Sequence, residues 1–175
     1  MHAFRFPPLT RADLPQMHRW LVAPHVAAWW GAPPSLADVE KEYGEYIDAV
    51  EPIHAHLVVC DGIAIGHAQW MQYADYAWYA RILGIEDLRA ANCDVFIGEV
   101  DWIHRGVGSA MVARYVEDVV FADARVSRCY IDPDARNAIA IRAYEKAGFR
   151  FVRDVADDGE GNSVRLMEKE REIAL

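Results

Sequence analysis

The feature that most constrains this chain is a strand that runs into a glycine turn and then a long helix. Asp94–Val100 reads as the strand. His104-Arg105-Gly106-Val107-Gly108-Ser109 follows, then a helix predicted over about 107–123, then a second strand at Arg128–Ile131. A β–α–β unit of this kind joins parallel strands, because the helix crosses over the sheet and returns the chain in the same direction. Upstream, Ile53–Cys60 and Ile63–Tyr73 are β-rich runs meeting at Asp61-Gly62, a hairpin signal that calls for antiparallel pairing. One chain must hold both arrangements. The expected class is α/β (α+β): a mixed, mostly antiparallel central sheet with helices on both faces.

The remaining elements fit around that frame. Ala3–Phe6 reads as a short strand. Thr10-x-x-Asp13 and Ser35-x-x-Asp38 are capping-box-like starts for helices reaching about Val22 and residue 49. Pro24–Gly31 is a short piece with aromatic residues at its end, and Tyr73–Asn92 carries no clear period. Asn137–Ala147 predicts a helix closed by Gly148. Phe149–Val155 and Ser163–Met167 predict a final hairpin around Asp157–Asn162. There is no repeat, no low-complexity stretch and no linker, so residues 1–175 are expected to form a single domain.

Composition narrows the function. With 53% hydrophobic and 26% charged residues, the chain can build a core. No apolar run reaches a membrane span, and the start lacks the apolar stretch of a secretory signal. Cys60, Cys93 and Cys129 lie far apart with no CxxC, which points to a reducing, cytoplasmic setting and no metal site. Net charge is 18 − 27 = −9. That balance repels phosphate backbones, argues against nucleic acid, and favours a cationic small molecule or basic peptide. A monomer and a homodimer are equally compatible with it.

Glycines at a helix start let a ligand approach the backbone, and the free N–H groups there favour an anion. A Walker loop would need Gly-Lys-Ser/Thr, which is absent. A dinucleotide fingerprint would need Gly near position 111, where Met111 stands. A pyrophosphate turn of another fold remains, as does a bare glycine turn with no ligand.

A second stretch bears on that choice. Asn137, Ala140, Tyr144, Gly148 and Phe149 spell Asn-x-x-Ala-x-x-x-Tyr-x-x-x-Gly-Phe. Together with the Gly-x-Gly turn, this resembles the GNAT N-acetyltransferases, an acetyl-CoA-dependent family. Ile103 stands where the family's turn usually begins with Gln or Arg, and Arg105 is the neighbouring cation. Trp29-Trp30-Gly31, Asp38-Val39-Glu40, Tyr43, Ile65-Gly66-His67-Ala68-Gln69, the Asp94–Glu99 stretch and Asp132-Pro133 narrow the resemblance to aminoglycoside 6′-N-acetyltransferases. It runs from about Trp29 to Phe149.

The resemblance implies acetyl-CoA as cosubstrate, no metal, and direct attack of an amine on the thioester. Arg105, Gly106, Val107, Gly108, Ser109, Asn137 and Tyr144 would bind coenzyme A, with Tyr144 protonating the departing thiolate. Such chemistry also needs a carboxylate to draw in the ammonium and take its proton, because alkyl amines titrate near 10.4. Asp94 is the first candidate and Glu99 the second. Five residues apart, they face opposite sides of a regular strand unless a bulge intervenes, and Gly98 is a place for one. Asp132, at a strand end, would grip a second ammonium, and Trp29 and Trp30 would stack on the acceptor's rings. An acyltransferase for a siderophore lysine precursor or a protein amine is the enzyme alternative. A non-catalytic acyl-CoA sensor is the other.

Overall fold

Both capping boxes form. Thr10 and Asp13 bond reciprocally ahead of a short 3₁₀ turn and helix α1 (Leu14–Leu21). Ser35 and Asp38 do the same ahead of α3 (Leu36–Ile47). Between them α2 (Pro24–Trp30) starts on a proline, which lacks only an N–H that the first helical turn leaves unpaired. The computed structural model describes residues 2–172.

The strands are β1 (Phe4–Arg5), β2 (His54–Cys60), β3 (Ile63–Gln72), β4 (Ala91–Ile97), β5 (Arg128–Ile131), β6 (Arg150–Val155) and β7 (Val164–Glu170). Their order in the sheet is β1-β2-β3-β4-β5-β7-β6. β4 and β5 are parallel, as the β–α–β reading requires, with Ala91 opposite Cys129 and Asn92 opposite Tyr130. The β1–β2, β5–β7 and β6–β7 pairs are antiparallel. Asp61 and Gly62 both have positive φ, the geometry of a type I′ hairpin turn between β2 and β3.

Three elements differ from expectation. The patternless stretch 73–92 contains a helix, α4 (Ala77–Leu83), closed by Gly84 in the left-handed region. β4 begins three residues early, at Ala91, and ends at Ile97. Helix α5 (Val107–Tyr115) passes into a π-helical turn, Val116–Val120, and so stops short of 123. Helix α6 spans Ala138–Lys146.

The chain divides into two compact units, and neither is continuous in sequence. The first comprises Met1–Gln69 and Asp94–Gly108. Its core holds Leu14, Met17, Trp20, Val26, Val39, Tyr43 and Phe96. The second comprises Trp70–Cys93 and Ser109–Leu175, with a core of Tyr73, Ala80, Leu83, Tyr130, Val164 and Leu166. Cys60, Cys93 and Cys129 are buried and form no disulfide. No described helix is long and apolar enough to cross a membrane.

Candidate active site

In the first unit, Asp94 is half-buried on β4. Gln69, at the end of that unit's share of β3, donates from Nε2 to Asp94 Oδ2 at 3.4 Å. Tyr43 from α3 lies near enough for the carboxylate's charge to help raise the phenol's pKa, which burial already pushes up. Trp30 hydrogen-bonds to Tyr43 and packs edge-on against Phe96, 4.8 Å between ring centroids. His25 bonds the carbonyl of Ile97 at 3.1 Å and ties α2 to the end of β4. Trp29, the neighbour of Trp30 in α2, turns outward and is 48% exposed. The two tryptophans therefore part company: one braces the site wall from within and the other offers a ring to solvent.

Glu99 has different company. Its Oε1 accepts from Trp20 Nε1 at 2.9 Å, Arg19 at 2.6 Å and Gln16 at 3.0 Å, all on α1. These donors, Trp20 first, hold its carboxyl below the usual range against the opposing effect of burial. The backbone just before it bulges: the N–H groups of Gly98 and Glu99 both donate to the carbonyl of Ile65. Gly98 is required there because a Cβ would collide with the Trp20 ring. The bulge releases Glu99 from strict alternation with Asp94, and α1 captures its carboxylate.

Beyond the bulge, His104 and Gly106 take positive φ, +60° and +74°, and α5 begins at Val107. Gly106 is explained by that backbone. Gly108 is not: its φ is ordinary, and a Cβ would meet only Ile97 Cδ1 at 3.8 Å, an ordinary contact. The chain's own packing does not demand glycine there. Glycine keeps a side chain away from the backbone of the first helical turn. Arg105 is exposed beside it.

In the second unit, Asp132 follows β5. Its Oδ1 accepts from Asn92 Nδ2 at 2.7 Å and its Oδ2 from the Tyr79 hydroxyl of α4. Burial raises its pKa and outweighs these two donors. Asn92 is itself buried and also donates to the Tyr73 hydroxyl at 2.9 Å. Asn137 caps α6, its side chain accepting from the N–H of Ala140 at 3.1 Å. At the other end, Phe149 N–H bonds Tyr144 O and Gly148 N–H bonds Glu145 O, with Gly148 at φ +95°. This is a Schellman cap, and the hydrophobic pair that accompanies such caps is Tyr144 with Phe149, 6.2 Å between centroids. The Tyr-x-x-x-Gly-Phe spacing thus has a local cause: the cap that ends α6 also fixes the buried Tyr144 ring.

Sequence reasoning left Gln69, Tyr79 and Asn92 without roles. Gln69 had a usable signal, since His67 and Gln69 share a strand face by period-two alternation. Tyr79 and Asn92 lie in the stretch that showed no period.

Residues 10–156 match the acetyltransferase (GNAT) domain family. The chain belongs to the GNAT acetyltransferases. An aminoglycoside N(6′)-acetyltransferase type 1 of Klebsiella pneumoniae is 32% identical over 147 residues, covering 81% of this GNAT chain and 71% of the relative. A lysine N-acyltransferase, MbtK, of Mycolicibacterium paratuberculosis is 27% identical over 146 residues, 80% of this chain and 62% of that one. The crystal structure of aminoglycoside acetyltransferase AAC(6′)-Ib with coenzyme A and kanamycin superposes with a TM-score of 0.79 at 27% identity, covering 98% of this chain and 95% of that one.

Proposed function

We propose that this GNAT enzyme transfers acetyl from acetyl-CoA to the 6′-amine of an aminoglycoside, and so confers resistance to such antibiotics. One observation carries the choice of acceptor: the family relative sharing 32% identity acts, by its name, on that amine. The half-buried Asp94, placed on the strand before the bulge, supports it. Asp94 draws in the acceptor's ammonium and takes its proton, directly or through water. The freed amine attacks the thioester carbonyl, and Tyr144 returns a proton to the leaving thiolate. The amides at Val107–Ser109 hold the pyrophosphate of coenzyme A, with Arg105 as the flanking cation and Asn137 toward the pantetheine arm. Trp29 stacks on a sugar or cyclitol ring, and Asp132 meets a second ammonium. Glu99 anchors α1 and is not the base. We read residues 1–175 as one cytoplasmic acetyltransferase domain that needs no metal, a reading supported by a family match running through segments of both units.

The similarity to a lysine N-acyltransferase favours a second acceptor class, a lysine-type amine. Thiol release from acetyl-CoA over a panel of kanamycin-like aminoglycosides, lysine derivatives, peptides and simple monoamines separates the two. Turnover of aminoglycosides well above the others is expected. Equal or better turnover of the lysine derivatives overturns the aminoglycoside reading and leaves the acetyltransferase standing.

A further inference from the structure

His67 is a fully buried imidazole in a nest of rings. Tyr43 lies 5.4 Å away, Phe96 5.5 Å and Trp30 6.3 Å, centroid to centroid. Its Nε2 is 3.1 Å from Gln69 Oε1. Gln69 turns its other end, Nε2, to Asp94. Since that amide nitrogen donates to a carboxylate, Gln69 Oε1 must accept, and His67 must carry its proton on Nε2. That tautomer leaves Nδ1 a lone pair with no hydrogen-bond partner among the described residues, the His56 backbone being the polar group near the ring on that side. A buried polar atom without a partner costs free energy. A phenylalanine would fill the same nest of rings with no such cost. What only the imidazole supplies is one donor, aimed at Gln69.

We infer that His67 is a positioning residue for Asp94: its Nε2–H fixes the Gln69 amide so that Nε2 of Gln69, and not its carbonyl oxygen, faces the carboxylate. The inference rests on Asp94 being the acceptor-site base. Glutamine can present either end to a neighbour, and a carbonyl turned toward Asp94 would repel the ionised carboxylate and swing it from its place. His67 removes that freedom. It stays neutral while doing so: burial lowers its pKa to about 4, opposed by Gln69 and the backbone of His56, with repulsion from His56 on β2 adding to the lowering once that ring is itself protonated. Among the described residues, the ionisable groups around the relay are Tyr43 and Glu42 from α3, His56 and its neighbour His54 from β2, and Asp94 itself from β4. Tyr43 is held protonated and His56 is itself pushed down to about 4 by burial, so neither changes charge near neutrality.

Two measurements test this. In the wild-type protein, ¹⁵N NMR of His67 should show the Nε2–H tautomer, unchanged between pH 5 and 8. An Nδ1–H tautomer, or titration in that range, overturns the proposal whatever the enzyme does. In kinetics, His67→Phe and Gln69→Leu should each lower kcat on the order of ten- to a hundredfold, with the KM for acetyl-CoA unchanged. The acid limb of kcat/KM should move to higher pH, because the ionised carboxylate has lost a donor. The double variant should be no worse than either single one. Multiplying losses, or a folded His67→Phe enzyme with wild-type kcat and pH profile, would refute the relay. Asp94→Asn separates the two levels. If it retains full activity, the base assignment fails, while the NMR result still decides whether His67 orients Gln69.

Discussion

Gln69 from the neighbouring strand donates to Asp94, while three groups of α1 donate to Glu99 and hold it to that helix. Asp94→Asn should therefore cost about 10² to 10⁴ in kcat, the worth of a positioned base. Tyr144→Phe should cost far less, because a thiolate near pKa 8.5 needs little help to leave. Steady-state kinetics on both variants checks this, and equal small losses would point to a site that only aligns its substrates. Glu99→Gln should leave the acceptor's KM alone and lower stability by about 1 kcal/mol at neutral pH, read from thermal melts. Its carboxyl sits below the usual range when folded, so its contribution is present above the unfolded carboxylate pKa and fades as pH falls through the folded value. The variant should lose less stability on acidification than the wild type. Both carboxylates were visible in the sequence as candidates. The partners that hold each of them were not, because these are Trp20 and Arg19 from α1, far away in the chain, and Gln69 from the neighbouring strand.

The glycine turn with α5 was the most legible element, since its signal is local: two glycines, a positive-φ backbone and a helix start in six residues. Gly108→Asp should abolish coenzyme A binding by titration calorimetry while the fold survives, because the chain leaves room for a side chain there but the carboxylate would occupy the anion's place. Retained affinity in the folded variant would remove the turn from the binding site. The Tyr144 helix was legible for the same reason, its motif being a Schellman cap. Helix α4 was not. It has only seven residues, its N-cap Tyr76 makes no side-chain cap, and Trp78 and Tyr79 favour strands as readily as helices. The early start of β4 was hidden too. Ala91 and Asn92 have little strand preference and are strand residues because β5 pairs with them.

For the whole molecule, charge decides what approaches. With a net charge of −9, the protein attracts polyamines over about one Debye length, roughly 8 Å at physiological salt. The KM for a multiply charged aminoglycoside should rise with ionic strength, and steady-state rates at low and high salt measure it. Asp132→Asn should raise that KM and leave the KM for acetyl-CoA unchanged. Absence of both effects would remove Asp132 from the acceptor's path. The buried cysteines bear on how such rates are followed. No described thiol lies at the surface, so a coloured disulfide reagent added to the native enzyme reacts with released coenzyme A and finds almost no background from the protein. In denaturant the same reagent gains Cys60, Cys93 and Cys129 as targets. A single dye thus reports turnover while the chain is folded and, by the sudden appearance of three more equivalents, the moment it is not.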